Sequence, residues 1–405
     1  MDILLAHAFF LRFDPKQWAS MQPYAPLGTL FAASYLRQQG YRVGLFDSML
    51  ARGPDDLISV LEQHRPKMVV FHEDNFNWLS KMCLTRMREA CFEMMKHVKK
   101  HLGAGIPVVV AGSDATDHQE LYFEKGADYV IIGESEQTLT ELANYLLGHS
   151  PAPLEQIAGL ALKTGHTIHR TAPRGFIKNL DLLPMPAWDL IDIERYRQAW
   201  RRKHGYYSIN LVTTRGCPFK CNWCAKPIYG NRYNCRSPEN VVEEMVWLKR
   251  HVQPDHIWFA DDIFGLKPGW VEHFGELVEA AGVVIPYKIQ ARVDLLSEEV
   301  VQGLKKSGCK TVWVGAESGS QKILDAMEKG TTVEQIYAAT RRLRRHGIEV
   351  CFFLQFGYPG ESDEEIEKTL QMVRECQPDD IGISVSYPLP GTKFYETVKN
   401  AMGPK

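Results

Sequence analysis

Short apolar runs alternate with amphipathic helical patterns along most of this 405-residue chain. In the first part, the apolar runs predict buried strands at residues 3–6, 42–46, 68–71, 108–111 and 129–132, with helices at residues 27–39, 55–64, 79–101 and 119–125. Strands alternating with helices in this way specify a parallel sheet covered on both faces. The sequence therefore predicts an α/β protein whose first domain, residues 1–150, is doubly wound and Rossmann-like. Such a sheet binds ligands at the carboxyl ends of its strands.

The same alternation returns after residue 205. Further strands are predicted at residues 208–212, 255–259, 286–290, 311–314, 349–354 and 380–385. Helix start signals lie between them, with Pro238 following Ser237 and capping boxes beginning at Thr332 and Ser362. These repeats predict a partial (β/α)₆ barrel of the TIM type over residues 205–395, whose chemistry lies at the carboxyl ends of its strands. Residues 151–204 are predicted to be a linker that wraps between the domains, with a short strand-like segment at residues 157–162. Residues 396–405 are predicted to be a C-terminal tail.

The charge balance and the cysteine content exclude several classes of protein. Lysine plus arginine number 47 and aspartate plus glutamate 49, a net charge of −2, so neither a nucleic acid nor an anionic membrane is expected as a partner. No apolar run reaches about 18 residues and no export signal is evident, so we expect a soluble, cytoplasmic protein. Nine cysteines without an export signal favour thiols and metal ligands over disulfides. Five are expected to be buried packing residues: Cys83, Cys91, Cys309, Cys351 and Cys376.

The most informative motif is a CxxxCxxC triplet, Cys217, Cys221 and Cys224, directly after the first predicted strand of the barrel. A [4Fe–4S] cluster normally takes four cysteine ligands, so three thiolates leave one iron open to a small molecule. With Cys235 added, the same residues are compatible with a structural Cys₄ zinc site. Zinc-binding cysteines usually come as two CxxC pairs, however, which this spacing does not provide.

The triplet resembles the signature of radical S-adenosylmethionine (SAM) enzymes, in which SAM occupies the open iron. Later strand ends look like the SAM-binding motifs of that superfamily, at residues 260–262, 315–318 and 356–361, and the resemblance covers about residues 205–395. It implies that SAM is bound by Phe219, Trp223, Asp261, Asp262, Arg292, Glu317, Ser318 and Gly357. Residues 260–262 are Ala-Asp-Asp where the family has a Gly-Gly-Glu-like segment, which leaves open which aspartate binds. Taken alone, Asp262 is also typical of a helix N-cap, Arg292 of a buried ion pair with Asp294 or Glu317, and Trp223 of a core residue.

The loops at the strand ends of the first domain resemble those of the cobalamin-binding domain that precedes many radical SAM enzymes. The residues this resemblance assigns to cobalamin are Pro26, Leu27, Gly28, His72, Glu73, Gly112, Ser113, Asp114, Ala115, Thr116, Gly133, Glu134 and Glu136. The Asp-x-His-x-x-Gly motif of classical cobalamin domains does not occur, so no cobalt ligand comes from it. Each loop taken singly is equally typical of ordinary turns and caps. His72 and Glu73 are compatible with a place below the corrin ring or with a hydrogen-bonded loop pair.

Together, the resemblances imply an oxygen-sensitive enzyme that holds a [4Fe–4S] cluster, SAM and cobalamin. It would act on a small molecule and receive electrons from an external low-potential donor of the flavodoxin or ferredoxin type. The activity implied is methylation of an unactivated carbon through a 5′-deoxyadenosyl radical and methylcobalamin, with the cofactors carrying the chemistry and no assigned catalytic side chain. Three alternatives stay open: a cobalamin-dependent rearrangement, ring contraction or cyclisation without methyl transfer, a methylthiotransferase, and a non-enzymatic iron–sulfur or zinc module.

Overall fold

The computed structural model describes residues 1–74, 76, 84–150 and 152–403. The chain divides into two compact units, Met1–Asn210 and Leu211–Lys405. Both are built from strands alternating with helices, which confirms the predicted α/β class. Within the described residues, no helix has the length and apolar composition needed to cross a lipid bilayer.

The described part of the first unit is built on a seven-stranded sheet in the order β2-β1-β3-β4-β5-β6-β7. Its strands are β1 (Ile3–Ala6), β2 (Val43–Phe46), β3 (Met68–His72), β4 (Val108–Ala111), β5 (Tyr129–Ile131), β6 (Leu160–Thr164) and β7 (Thr167–Arg170). The first five pair in parallel, as predicted, and β6 and β7 are antiparallel. Strand order reverses beside β1, so the carboxyl ends of β1 and β3 form the switch point at which such sheets bind ligands.

Helices cover both faces of this sheet, and the strands are buried for that reason. The helices are α1 (Pro15–Ser20), α2 (Leu27–Gln38), α3 (Asp56–His64), α4 (Leu84–Leu102), α5 (Ser113–Asp117), α6 (Gln119–Glu124), α7 (Glu136–Leu146) and α8 (Ile193–His204). Alternate strand residues point to opposite faces. Ile3 and Leu5 of β1 pack on the face covered by α2 and α7, whereas Leu4 and Ala6 pack on the face covered by α3 and α4.

Residues 151–204 differ from the predicted linker, because part of this segment belongs to the first sheet. β6 pairs with β5 through Leu160 and Ala161, which are fully buried, and β7 continues the sheet as a hairpin. Helix α8 then begins at the N-cap Asp192, whose side chain accepts from the backbone N–H of Arg195. Pro184 and Pro186 lie outside these elements, as expected for residues that interrupt regular structure.

In the second unit, a six-stranded sheet has the order β15-β14-β13-β12-β11-β8 in the described residues. The strands in chain order are β8 (Ser208–Leu211), β9 (Thr214–Arg215), β10 (Asn234–Cys235), β11 (His256–Phe259), β12 (Tyr287–Ala291), β13 (Cys309–Glu317), β14 (Glu349–Phe356) and β15 (Asp380–Val385). β9 and β10 form a separate antiparallel pair. The pairings from β11 to β15 are parallel and follow chain order, which confirms the predicted partial barrel.

The helices of the second unit are α9 (Pro238–His251), α10 (Trp270–Ala280), α11 (Glu298–Ser307), α12 (Gln321–Ala326), α13 (Val333–Arg345), α14 (Asp363–Cys376) and α15 (Lys393–Met402). The three predicted helix starts are confirmed, with Ser237 capping α9 and capping boxes at Thr332 and Ser362. Helix α15 covers most of the predicted C-terminal tail, and Phe394, near its start, stacks on Tyr358. Cys91, Cys309, Cys351 and Cys376 are buried as predicted, whereas Cys83 lies outside the described residues.

Gly275 in α10 and Gly303 in α11 allow these two helices to pack closely. A Cβ at Gly303 would lie 2.9 Å from the carbonyl oxygen of Val271, a backbone atom that cannot rotate away. We expect Gly303→Ala to lower the free energy of unfolding by about 1–3 kcal/mol, the usual cost of overpacking. Denaturant titration measures this, with Gly105→Ala as the matched control because a Cβ there meets nothing within 4 Å. Equal stability of the two variants would contradict the packing argument.

Candidate active site

A cavity of about 310 Å³ lies inside the half-barrel of the second unit. Its wall is made by the loop between β9 and β10 and by the carboxyl-terminal parts of β12, β13, β14 and β15. The structure brings eight of the predicted residues together on this wall: Cys217, Phe219, Cys221, Trp223, Cys224, Asp262, Arg292 and Glu317. Three predicted SAM residues are not on it, namely Asp261, Ser318 and Gly357.

The three cysteines share one wall of this cavity and are half-buried. Burial raises the pKa of Cys224 to about 12 and also raises the pKa of Cys217. Without metal, Cys217 and Cys224 are therefore protonated at neutral pH, and metal binding would displace their protons. Cys235 is not on this wall but in β10, opposite Thr214. The donor set on the wall is three thiols, which fits a [4Fe–4S] cluster with one open iron.

Trp223, in the same loop, lines the cavity and also packs on the apolar cluster that holds α15. Its indole N–H is buried and has no hydrogen-bond partner among the described residues. A buried N–H of this kind costs stability unless an acceptor is supplied. The arrangement fits a bound ligand that offers an acceptor beside the cysteine loop.

Arg292, at the end of β12, is largely engaged by the protein itself. Its guanidinium donates to both carboxylate oxygens of Asp294 at 3.0 Å and to the carbonyl oxygen of Lys329 at 2.8 Å. Its guanidinium carbon also lies 3.7 Å from the ring centroid of Phe219, which stands between Cys217 and Cys221 in the sequence. The ion pair with Asp294, one of the alternatives left open by the sequence, is therefore present. Arg292 connects the cysteine loop with the turn that carries Lys329.

Glu317 and Lys329 form a buried ion pair on the cavity wall. Lys329 Nζ lies 2.7 Å from Glu317 Oε1, and each side chain is only 7% exposed. Burial, the largest single effect, lowers the pKa of Lys329, but the raising effects, chiefly the charge and the hydrogen bond of Glu317, together outweigh it, so the pKa lies above its usual value. Glu317 has φ +59°, a left-handed conformation that is uncommon outside glycine and is concentrated at functional sites. The register of β13 and β14 shifts at this point.

The two neighbouring aspartates after β11 have different positions. Asp261 is buried and accepts four hydrogen bonds, from the backbone N–H and the hydroxyl of both Thr213 and Thr214, at 2.7–3.0 Å. It thereby fixes the chain that leads into the cysteine loop. Asp262 lines the cavity, so it is the aspartate placed to meet a ligand.

Asp261 should leave a signature in the pH dependence of stability. Burial raises its pKa from 3.8 to about 6 in the folded state. The folded chain then binds more protons than the unfolded chain between these values, so the contribution of Asp261 to stability falls as the pH rises through this window. We expect the free energy of unfolding of wild type, measured relative to that of Asp261→Asn, to fall from pH 4 to pH 6. Urea titrations of both proteins across this range test it, and a constant difference would contradict the shifted pKa.

Ser318 and Gly357 have structural contacts away from the cavity wall. The Ser318 hydroxyl lies 3.1 Å from the Thr369 hydroxyl, and the backbone N–H of Gly357 donates to the Glu361 carboxylate. The cavity has further lining side chains that the sequence did not predict: Lys226, Gln290, Trp313, Lys329, Phe353 and Ser384. Side chains alternate between the two faces of a strand, so counting back in steps of two from Arg292 and Glu317 would have indicated Gln290 and Trp313. No local signal marked Lys329.

In the first unit, the residues predicted to bind cobalamin lie at the carboxyl ends of the strands or begin the following helices. Pro26 precedes α2, residues 113–116 lie in α5, and Glu136 opens α7. The buried His72 ring has both nitrogens near hydroxyls, with Nε2 2.7 Å from Ser135 Oγ and Nδ1 3.4 Å from Thr29 Oγ1. Its geometry is that of a hydrogen-bonded packing residue.

The acidic residues of these loops contact other parts of the same unit. Glu73 accepts from the Ser113 hydroxyl, Asp114 pairs with Arg88, and Glu134 accepts from the backbone N–H of Ile177. The backbone N–H of Gly28 donates to Asp74 at 3.0 Å. Gly133 has φ +82°, and a Cβ there would meet open space. An open glycine at a strand end fits a large ligand that approaches the backbone closely.

Comparison with known proteins agrees with this division. The Radical SAM superfamily model matches residues 211–373 and the B12 binding domain model matches residues 20–143. The uncharacterized methyltransferase PH0819 of Pyrococcus horikoshii is 27% identical over 377 residues, covering 92% of this chain and 78% of that protein. The hopanoid C-3 methylase of Methylococcus capsulatus is 26% identical over 388 residues, covering 92% and 68%.

Among solved structures, the radical SAM methyltransferase TsrM of Kitasatospora setae, with cobalamin and a [4Fe–4S] cluster bound, superposes with a TM-score of 0.80. The match covers 99% of this chain and 75% of TsrM at 20% identity, a likeness of fold. The half-barrel and its three-cysteine wall define an enzyme of the radical SAM superfamily. With its B12 binding domain, the chain belongs to the cobalamin-dependent radical SAM enzymes.

Proposed function

We propose that this chain is a methyltransferase that methylates an unactivated carbon of a small molecule. The observation that carries the proposal is the wall of three thiols in one cavity with charged side chains, in a chain that also has a B12 binding domain. Both relatives described above are named as methyl-transferring enzymes. When bound, the cluster, SAM and cobalamin supply electron transfer, hydrogen abstraction and a methyl group.

The residues assigned to the cluster and SAM follow from the cavity. Cys217, Cys221 and Cys224 would hold the cluster. SAM carries an ammonium, a carboxylate and a sulfonium, and the wall offers both signs of charge for such a ligand, in Asp262 and in the Glu317–Lys329 pair. Phe219 and Trp223 would exclude water beside the cysteines. Arg292 orients this loop through its contact with Phe219.

For cobalamin, we propose the carboxyl edge of the first sheet, at residues 26–28, 112–116 and 133–136. His72 is not proposed as a cobalt ligand because its ring nitrogens already face Ser135 and Thr29. We further propose that the enzyme acts in the cytoplasm and receives electrons from a flavodoxin or ferredoxin. Thiols stay reduced in that compartment, as a cluster held by cysteines requires.

Anaerobic reconstitution with SAM, cobalamin and a chemical reductant tests the proposal without knowledge of the substrate. We expect bound corrinoid, formation of 5′-deoxyadenosine, and isotope label from the SAM methyl group in the corrinoid fraction. Label that appears in methionine and never in the corrinoid would instead support a rearrangement or cyclisation. Absence of both corrinoid and 5′-deoxyadenosine would refute the assignment.

A further inference from the structure

Two aromatic side chains form a flat surface inside the half-barrel. Trp313 of β13 and Phe353 of β14 stack with ring centroids 4.7 Å apart and planes at 27°. Both line the cavity, and both are only half-buried although they lie in the interior of the sheet. We call this pair the aromatic shelf. Its rings are apolar surface that the protein itself leaves partly uncovered.

A glycine on the neighbouring strand β15 leaves room for the two rings of the shelf. The residues opposite Phe353 are Gly315 on β13 and Gly382 on β15. A Cβ at Gly382 would lie 3.1 Å from the Phe353 ring and 3.3 Å from the Trp313 ring. Gly382 therefore lets both rings lie close against β15, whereas a Cβ at Gly315 would meet Lys329 Nζ and Glu317 Oε1.

The residues paired with Trp313 are uncharged, although the Glu317–Lys329 pair lies close to Gly315, the residue opposite Phe353. The charged lining residues lie on the cysteine loop, at strand ends or in the loops beyond them: Lys226, Asp262, Arg292, Glu317 and Lys329. The residues opposite Trp313 are Gln290 and Cys351, which are uncharged, and the polar group on the adjoining wall is Ser384. Burying an unpaired charge is costly, so this part of the cavity disfavours a charged ligand. The charged groups suit the ammonium, carboxylate and sulfonium of SAM, and the shelf suits an uncharged group.

We infer that the substrate of the proposed methyl transfer, on which this inference rests, presents an uncharged, planar, conjugated ring to the aromatic shelf. Trp313 and Phe353 would determine specificity by stacking on that ring, and Gln290 and Ser384 would contact a neutral polar edge. Offset stacking adds to the energy of burying apolar area, so a planar ring is preferred over an aliphatic group of equal size.

Binding of a neutral fused aromatic probe, N-phenyl-1-naphthylamine, to the reconstituted holoenzyme tests the inference. Equilibrium dialysis is the suitable method, because the cluster and the corrinoid absorb visible light. We expect saturable binding to wild type and a loss of affinity of about tenfold in both Trp313→Leu and Phe353→Leu. Trp313→Phe should retain most of the affinity. Trp247→Leu is the matched control, since Trp247 stacks on His251 of α9, outside the cavity.

Dialysis of labelled SAM against the same variants separates the shelf from the SAM site. Unchanged SAM affinity in Trp313→Leu, together with weaker probe binding, supports the inference. Loss of SAM affinity in that variant, or failure of wild type to bind the probe better than its charged relative 1-anilinonaphthalene-8-sulfonate, overturns it. Either result leaves the proposed function standing, because that depends on 5′-deoxyadenosine formation and corrinoid labelling in wild type.

Discussion

A Cys221→Ala variant is expected to lose its iron–sulfur cluster and its ability to cleave SAM. Cys221 is the middle of the three thiols on the cavity wall, and two thiols cannot hold a cluster that needs at least three. Changes to groups that only support metal ligands already cost about 10–100-fold in affinity or activity. Removal of a ligand itself should exceed that range. Iron and sulfide analysis, electron paramagnetic resonance of the reduced protein, and 5′-deoxyadenosine formation measure the loss.

Cys235→Ala is the matched control for this experiment. Cys235 is also a half-buried cysteine of the second unit, but it lies in β10 and not on the wall that carries the triplet. We expect this variant to keep its iron, its sulfide and its SAM cleavage. Loss of all metal from Cys235→Ala would instead indicate a site with four cysteine ligands, and would argue against an open iron.

The sheets could be predicted from the sequence because their strands carry the necessary information locally. β4 and β1 each consist of four consecutive apolar residues, all buried. Such a run is typical of a strand that is covered on both faces. Helix starts were also local, since a capping box such as Thr332–Gln335 satisfies its own backbone donors. Both features depend on neighbours within a few residues.

Elements that depend on distant partners were predicted only in part or not at all. β6 was predicted only as a short strand-like segment at residues 157–162, without its pairing to β5, and the mostly exposed β7 was not predicted. Helix α15 depends on Phe394 meeting Tyr358, and the sequence does not reveal that contact. In such cases tertiary packing decides whether the segment is ordered.

The same distinction applies to the candidate site. The triplet was recognisable because its spacing places three thiols on one loop, and the structure places all three on one wall. Which of Asp261 and Asp262 faces the cavity depends on how the chain turns after β11, and the sequence does not reveal that turn. Lys329 was missed because its partner Glu317 is twelve residues away, and no local pattern links the two.

Lys329→Met is expected to destabilise the second unit and to weaken SAM binding. The change leaves the Glu317 carboxylate buried on the wall without its counter-charge. Breaking a buried pair from one side typically costs about 3–5 kcal/mol, because an uncompensated charge stays in the interior. The double variant Glu317→Gln with Lys329→Met removes both charges, so it should recover much of the stability. It should not recover SAM binding if both charges contact SAM.

Gly315→Ala provides a second route to the same pair without removing either charge. A Cβ at Gly315 would lie 2.6 Å from Lys329 Nζ and 2.7 Å from Glu317 Oε1, so one or both of these groups must shift. Denaturant titration of the single and double variants gives the coupling energy, and SAM dialysis gives the functional effect. If Glu317→Gln and Lys329→Met add without coupling, the pair is not a unit. Suppose that Glu317→Gln and Lys329→Met couple and that Gly315→Ala also weakens SAM binding. SAM binding then requires the geometry of the ion pair as well as its two charges.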